Sequence, residues 1–142
     1  MLSFFETRNQ IALKIFHLPF KTVEQAVLQN KPISNITLPK LTEELAAILG
    51  IGKTATIGLL GISVSRQSRN TVLNTDILDR ASSYISVFAR VSSVLGETTA
   101  RAWLQKPKRG LGGALPIDLL QTRLGLSQLE DMLSALEDGA YL

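Results

Sequence analysis

The feature that most constrains the fold of this chain is the regular spacing of apolar residues between Asp76 and Leu95. Within this segment, apolar side chains recur at spacings of three and four, which places them on one side of an α-helix. Asn74 or Thr75 can cap the start of this helix, and Gly96 is expected to end it. The stripe consists of Ile77, Tyr84, Val87, Phe88, Val91 and Leu95. A helix that buries one whole side requires further elements to pack against it.

Shorter segments with helical spacing fill most of the remaining chain, and no segment shows the alternation of apolar and polar residues that is typical of strands. The predicted helices are Thr22–Gln29, a segment after Thr37 and Pro39 that Gly50 ends, Lys53–Leu60, Glu97–Gln105, Ile117–Leu124 after Pro116, and a last helix from a cap at Ser127 to Gly139. The sequence therefore predicts an all-α protein. It divides into an N-terminal helical region over 1–73 and a second helical region over 74–142, and any hinge lies at 70–75.

The composition excludes several classes of protein. The 142 residues include no cysteine, which excludes disulfides, thiol catalysis and cysteine metal sites and fits a cytoplasmic protein. The first residues lack the basic and apolar regions of a signal peptide. No run approaches the roughly 18 to 20 apolar residues of a membrane span. Hydrophobic residues make up 45% of the chain and aromatic ones 6%, so aliphatic side chains are expected to fill the core.

The charge is distributed unevenly along the chain. Residues 1–72 hold eight basic and four acidic residues, a net charge of +4, whereas residues 73–142 hold seven basic and eight acidic ones, a net charge of −1. The acidic residues after Arg123 have no basic neighbour, and they are Glu130, Asp131, Glu137 and Asp138. The first part suits a polyanion and the second a different partner, although a small protein can also carry such asymmetry by chance.

No arrangement of residues predicts catalysis, a metal site or a cofactor. His17 is the only histidine and lies among apolar residues, so neither a histidine metal site nor a Ser-His nucleophile is expected. The segment 47–54, AILGIGKT, fits a relaxed phosphate-loop pattern, but such a loop must follow a buried strand, and the preceding residues have helical spacing. The glycines from Gly110 to Gly113 fit a tight turn between helices. The chain is therefore expected not to be an enzyme.

The segment Lys53–Asn70 matches a helix-turn-helix, the DNA-binding motif whose second helix enters the major groove. A short helix is followed by a turn at Gly61 and then by a polar, basic helix that Ser63 or Ser65 can cap. Arginine can recognise guanine, and glutamine and asparagine can recognise adenine. The predicted DNA-binding residues, within a motif at about 53–72, are Ser63, Ser65, Arg66, Gln67, Arg69 and Asn70.

A competing frame places the same motif one helix earlier. Ala46 and Gly50 fit its small-residue and turn positions, which makes Lys53–Leu60 the second helix. The polar contacts of that helix would be Lys53, Thr54 and Thr56. We prefer the first frame because its second helix carries the charge, and both frames stay open at this point.

The C-terminal half carries several short motifs in a characteristic order. They are the pair Trp103-Leu104, Pro107, the run Leu111-Gly112-Gly113, the run Pro116-Ile117-Asp118-Leu119-Leu120, Gly125, and the closing Glu137, Gly139 and Tyr141. Together they resemble the Xre/MbcA/ParS family of bacterial type II antitoxins, the partners of RES-domain toxins. Asp79-Arg80 also falls where that family often has an Asp-Arg pair, whereas Lys108 stands where the family usually has asparagine.

The resemblance implies a function that composition and spacing do not reveal. The toxins of this family consume NAD or transfer parts of it, and the antitoxin docks beside the active-site cleft and keeps NAD out. On this chain the C-terminal tail would enter the cleft, and the toxin-binding residues would be Lys108, Arg109, Leu111, Glu137, Gly139, Ala140, Tyr141 and Leu142. The resemblance also implies a homodimer that represses its own operon by binding operator DNA. The alternative is a plain helix-turn-helix repressor without a toxin partner.

Overall fold

The structure is a computed structural model that describes residues 2–63 and 72–139. Within these ranges it contains a short 3₁₀ turn at Arg109–Leu111 and the helices α1 (Phe4–Phe16), α2 (Phe20–Leu28), α3 (Leu38–Leu49), α4 (Lys53–Leu59), α5 (Thr75–Leu95), α6 (Glu97–Leu104), α7 (Pro116–Leu119) and α8 (Arg123–Glu137). The extended backbone in the same ranges pairs at a single antiparallel bridge between Ile33 and Leu73. The predicted all-α fold class is confirmed.

Several helix ends follow from the capping residues that the sequence analysis identified. The side chain of Asn74 accepts a hydrogen bond from the backbone N–H of Ile77 at 3.0 Å and so begins α5. Thr37 caps α3 in the same way. Gly50 ends α3 with a φ of +70°, a left-handed conformation that glycine adopts without steric cost. These predicted ends are confirmed. The sequence could predict them because each depends on residues close together in the chain.

The first helix, α1, is a helix that the sequence analysis did not assign. Its cap is local, because Ser3 accepts a hydrogen bond from the backbone N–H of Glu6 at 3.2 Å. Its buried residues recur on one face and are Thr7, Ile11, Ala12, Ile15 and Phe16. The helix α1 packs against α5 and so covers part of the apolar side of α5.

The predicted boundary between the last two helices was wrong. A helix over Ile117–Leu124 is not formed, because α7 ends at Leu119 after a single turn. Thr122, rather than Ser127, caps the last helix, and its hydroxyl accepts a hydrogen bond from the backbone N–H of Gly125 at 3.0 Å. An extended threonine three residues before an available N–H gives a better cap than a serine inside the helix. The last helix therefore begins at Arg123.

The long helix α5 lies at the centre of the molecule and contacts α1, α2, α3, α6 and α8. One continuous cluster of buried apolar residues extends from Ile11 on α1 through Phe88 on α5 to Leu133 on α8. The described residues on both sides of the predicted division at 73/74 therefore share a core. The division into two regions remains a prediction.

Side chains of α6 bind the C-terminal end of α3, where helix carbonyl groups lack partners within the helix. Arg101 Nε donates a hydrogen bond to the carbonyl oxygen of Ile48 at 3.0 Å. Gln105 Nε2 donates one to the carbonyl oxygen of Gly50 at 2.8 Å. These bonds join the turn between α3 and α4 to the C-terminal part of the chain.

Candidate functional site

The connector between α6 and α7 is a compact turn closed by backbone hydrogen bonds. The backbone N–H of Lys108 donates to the carbonyl oxygen of Ala114 at 3.1 Å, and that of Gly113 donates to the carbonyl oxygen of Lys108 at 2.9 Å. Gly112 and Gly113 have φ values of +65° and +86°. Two consecutive residues in this region strongly favour glycine, because the left-handed conformation brings a Cβ atom close to the residue's own backbone. The Leu-Gly-Gly motif therefore has a conformational cause.

This turn is held against the hydrophobic core by two side chains. The Lys108 ammonium lies 4.8 Å from the centre of the Trp103 ring, and Trp103 is 7% exposed. Burial, and to a lesser extent the charge of Lys106, lowers the pKa of Lys108 below its usual value. On the other side, a Cβ atom at Gly110 would lie 2.5 Å from Cε of Met132 on α8. The turn is therefore a preformed surface rather than a loose loop.

An open depression of about 600 Å³ lies between the turn and α8. Its walls combine backbone from the turn with apolar and polar side chains of the helix, and they are formed by Gly110, Leu111, Gly112, Gln128, Asp131, Met132 and Ala135. Leu111 is half-buried, and Arg109 beside it is exposed. Three predicted toxin-binding residues, Lys108, Arg109 and Leu111, are therefore close together in one turn.

The predicted toxin-binding residue Glu137 is engaged in an internal ion pair. Its carboxylate accepts hydrogen bonds from Arg90 on α5, with distances of 2.6 Å from Nη2 and 3.3 Å from Nε. Arg90 Nη2 also donates to Ser134 Oγ at 3.2 Å. The side chains of Arg90 and Glu137 are 19% and 36% exposed, so the pair lies at the edge of the core. It fixes the C-terminal end of α8 on α5, close to the exposed Gly139.

The acidic residues of α8 do not form one continuous patch. Glu130 lines a cavity that it shares with Arg90 and residues of α1 and α2. Asp131 instead lines the depression beside the glycine turn. Neighbouring residues on a helix point about 100° apart, which explains the separation. Asp131 is therefore the acidic residue of α8 that lines the same depression as the connector.

The last predicted toxin-binding residues, Ala140, Tyr141 and Leu142, lie outside the described residues. Gly139, which precedes them, is exposed and has a φ of +88°.

The sequence analysis missed Arg90, because its partner Glu137 is 47 positions away and a single sequence gives no sign of such pairing.

The predicted DNA-binding set lies mostly outside the described residues. Ser63 is exposed, and the remaining members Ser65, Arg66, Gln67, Arg69 and Asn70 fall in 64–71. The competing frame is described in full, with α3, a turn that starts at Gly50, and α4. In α4, Lys53 and Thr54 are exposed.

One polar contact of the competing frame is not available to DNA. Thr56 is fully buried, and its hydroxyl donates a hydrogen bond to the carbonyl oxygen of Gly52 at 2.9 Å. A buried hydroxyl that bonds the preceding turn of its own helix has its partner there and does not face DNA. In this frame the polar surface of α4 is therefore limited to its first two residues.

The described ranges 2–63 and 72–139 contain no group of three or more histidine, cysteine, aspartate or glutamate residues that could hold a metal ion. His17 is exposed and ends α1 in a left-handed conformation with a φ of +57°. The 47–54 segment follows the helix α3 rather than a strand, as expected for a segment that is not a phosphate loop. Among the helices described here, none is long and apolar enough to cross a membrane.

Comparison with known proteins identifies the C-terminal part of the chain. Residues 90–139 match the model of the antitoxin Xre/MbcA/ParS C-terminal toxin-binding domain. A relative from Pseudomonas putida described as "Antitoxin Xre" is 36% identical over 76 residues, which cover 53% of this chain and 48% of the relative. The chain thus spans about half the length of that relative. The residues that match the family model include the glycine turn, α7, α8 and the Arg90–Glu137 pair, so this part of the chain is similar to the toxin-binding domain of the Xre/MbcA/ParS antitoxins.

Proposed function

We propose that this protein is the antitoxin of a type II toxin-antitoxin system and that it neutralises a RES-type toxin that consumes NAD. The observation that carries the proposal is the match of residues 90–139 to a toxin-binding domain. The fold supports it, because the matched residues form a rigid surface in which Lys108 packs on Trp103 and the glycine turn packs on Met132. A preformed surface loses little conformational entropy when a partner binds.

Neutralisation uses the C-terminal tail as a plug for the active-site cleft of the toxin. The tail follows the Arg90–Glu137 pair, which anchors its starting point on α5. Tyr141 provides a large contact area with few rotatable bonds. The protein itself is not an enzyme and needs no cofactor.

The connector supplies a second contact with the toxin. Arg109 and Leu111 lie beside the depression whose other wall carries Asp131. An apolar side chain of the toxin fits this depression, with charged groups of the toxin facing Arg109 and Asp131 at its edge. This arrangement is that of many protein interfaces, in which a small apolar centre is surrounded by a polar rim.

The N-terminal part represses the operon of the antitoxin by binding operator DNA as a homodimer in the cytoplasm. A dimer is required because the two half-sites of an operator must be bound together for high affinity. The excess of basic residues in 1–72 supports this role, since contacts with phosphate supply much of the affinity for DNA. The alternative is a plain repressor without a toxin partner.

Co-expression with the protein encoded next to this chain tests the toxin-binding role. We expect the neighbour alone to stop growth and lower the NAD level, and the pair to do neither. Removal of residues 139–142 is expected to abolish neutralisation while the far-UV circular dichroism spectrum stays unchanged. Arg109→Glu is expected to weaken neutralisation, whereas the matched control Lys21→Glu on α2 is expected to leave it intact. A harmless neighbour, or full neutralisation without the tail, contradicts the proposal.

Operator binding measured by gel shift separates the two helix-turn-helix frames. The first frame predicts that Arg66→Ala combined with Arg69→Ala weakens operator binding and leaves toxin inhibition intact. The competing frame predicts this result for Lys53→Ala combined with Thr54→Ala. If neither double variant changes operator binding, both frames are wrong.

A further inference from the structure

The C-terminal end of α4 is attached to the long helix α5 by a tyrosine and an arginine. The hydroxyl of Tyr84 donates a hydrogen bond of 2.5 Å to the carbonyl oxygen of Leu59, and Tyr84 is 2% exposed. Nη1 of Arg80, one helical turn before Tyr84, lies 3.5 Å from the same oxygen. This carbonyl is one of the last four of its helix and therefore has no partner within α4. Both side chains thus satisfy this buried acceptor from α5.

The turn after α4 also rests on Arg80. Gly61 has a φ of +70°, and a Cβ atom at this position would lie 3.1 Å from Cζ of the Arg80 guanidinium. The Nε of Arg80 is in turn held by Asp76, 3.3 Å away on the same helix. Although burial disfavours the charge, Asp76 and Tyr84 together raise the pKa of Arg80. The guanidinium is therefore a fixed, charged support beneath the Gly61 turn.

We infer that Arg80 and Tyr84 are positioning residues for DNA recognition. They touch no DNA themselves, but they fix the position and direction in which the chain leaves α4. This segment matters in either frame of the helix-turn-helix. In the first frame Gly61 is the turn before the DNA-binding helix, and in the competing frame Leu59 ends that helix. The inference rests on the proposed DNA-binding function and adds the residues that orient its motif.

The physical reason is that specific and non-specific DNA binding depend differently on geometry. Contacts with bases require correct placement of a few side chains, whereas contacts with phosphates depend mainly on charge. Removal of the Tyr84 hydroxyl leaves the number of basic side chains unchanged. It therefore lowers the affinity for the operator more than the affinity for DNA of random sequence.

The test uses the full chain with Tyr84→Phe, which keeps the ring in the core and removes only the hydroxyl. Arg80→Gln is the second variant, and Ser93→Ala is the matched control, because Ser93 also donates to a backbone carbonyl of α5 but far from α4. Amide hydrogen exchange of Gly61 and Ile62 reports the order of the turn, since both N–H groups bond to carbonyls of α4. Dissociation constants are measured for operator and random DNA at one salt concentration.

We expect Tyr84→Phe to increase exchange at Ile62 and to weaken operator binding, each by about tenfold, as for the loss of one hydrogen bond to a buried carbonyl. Binding to random DNA, toxin neutralisation and all properties of Ser93→Ala are expected to stay within about twofold. Arg80→Gln is expected to increase exchange and weaken operator binding in the same way and, because it also removes one positive charge, to weaken random-DNA binding slightly.

Three results overturn the inference. In the first, both variants keep the exchange rate and the operator affinity of the wild type, while a frame-testing variant such as Lys53→Ala loses operator binding. The proposed DNA-binding function then stays intact and only the inference fails. Another is an equal loss of affinity for operator and random DNA, which indicates general destabilisation. The third is a wild-type protein that binds no operator, in which case the proposed DNA-binding function fails as well.

Discussion

Replacing Gly125 with alanine tests why the residues that match the toxin-binding domain have a glycine in the first turn of α8. A Cβ atom at this position would lie 2.4 Å from the carbonyl oxygen of Leu119 and 2.9 Å from Oγ1 of Thr122, whereas ordinary contacts begin at 3.4 Å. The nearest atom belongs to the backbone of α7 and cannot rotate away. The two helices must therefore separate by about 1 Å to accept the methyl group.

The cost of this separation follows from two contributions. Inserting a methylene-sized group into a packed site costs about 1–3 kcal/mol. The shift also weakens the hydrogen bond from Gly125 N–H to the Thr122 hydroxyl, a helix cap that is worth about 1 kcal/mol. The better helix propensity of alanine offsets up to about 1 kcal/mol. We therefore expect Gly125→Ala to lower the free energy of unfolding by about 1–3 kcal/mol, within the range of these terms.

Urea unfolding followed by circular dichroism at 222 nm measures this change, with the m-value checked for constancy. Gly58→Ala is the matched control, because Gly58 lies inside α4 and a Cβ atom added there would have nothing within 4 Å. It is expected to stabilise the protein by about 0.5–1 kcal/mol through helix propensity. Gly110→Ala should fall between the two, since Met132 Cε can move. A Gly125→Ala protein as stable as the wild type would refute the steric argument.

Three further predictions concern individual side chains. A double-mutant cycle with Arg90→Gln and Glu137→Gln, measured by urea unfolding, is expected to give a coupling free energy of about 0.5–1 kcal/mol, as for a partly exposed pair; a value of zero means that the pair does not anchor α8. Trp103, the only tryptophan, is expected to emit at short wavelength because it is buried, and Lys108→Met should change this emission and cost about 0.5–1 kcal/mol. Burial raises the pKa of Tyr84, so the unfolded state loses this proton at a lower pH than the folded state. The free energy of unfolding is therefore expected to fall above about pH 10. Urea unfolding of the wild type and of Tyr84→Phe at a series of pH values is expected to show a smaller fall for the variant.

The parts of the fold that the sequence predicted well are those set by neighbouring residues. The stripe of α5, its cap at Asn74 and the left-handed end of α3 at Gly50 each follow from spacing or capping along one short stretch of chain. The glycine turn of the connector was predicted for the same reason, since Gly112 and Gly113 adopt positive φ values. Local steric and capping preferences are strong enough here to decide structure without tertiary contacts.

The parts that were missed depend on competition or on distant partners. α1 has a short apolar face and a local cap at Ser3, but its stability comes from packing against α5, which lies far away in the sequence. The sequence analysis named Ser127 as the cap of the last helix, and the close packing of Gly125 on Leu119 favours Thr122 instead. The partners of Arg90 could not be read from spacing for the same reason.

The residues that match the toxin-binding domain include only part of the helix α5. The family match begins at Arg90, well inside a helix that starts at Thr75. The earlier turns of this helix bury Ile77 and Tyr84 against elements from the N-terminal part, and helix formation is cooperative along its length. Arg90 can hold Glu137 only if those turns are folded, and Tyr84 on the same helix holds α4. Tyr84 and Arg90 lie six residues apart on α5, so the surface proposed to bind toxin and the motif proposed to bind DNA both depend on one helix, and the matched residues are a part of a larger folding unit.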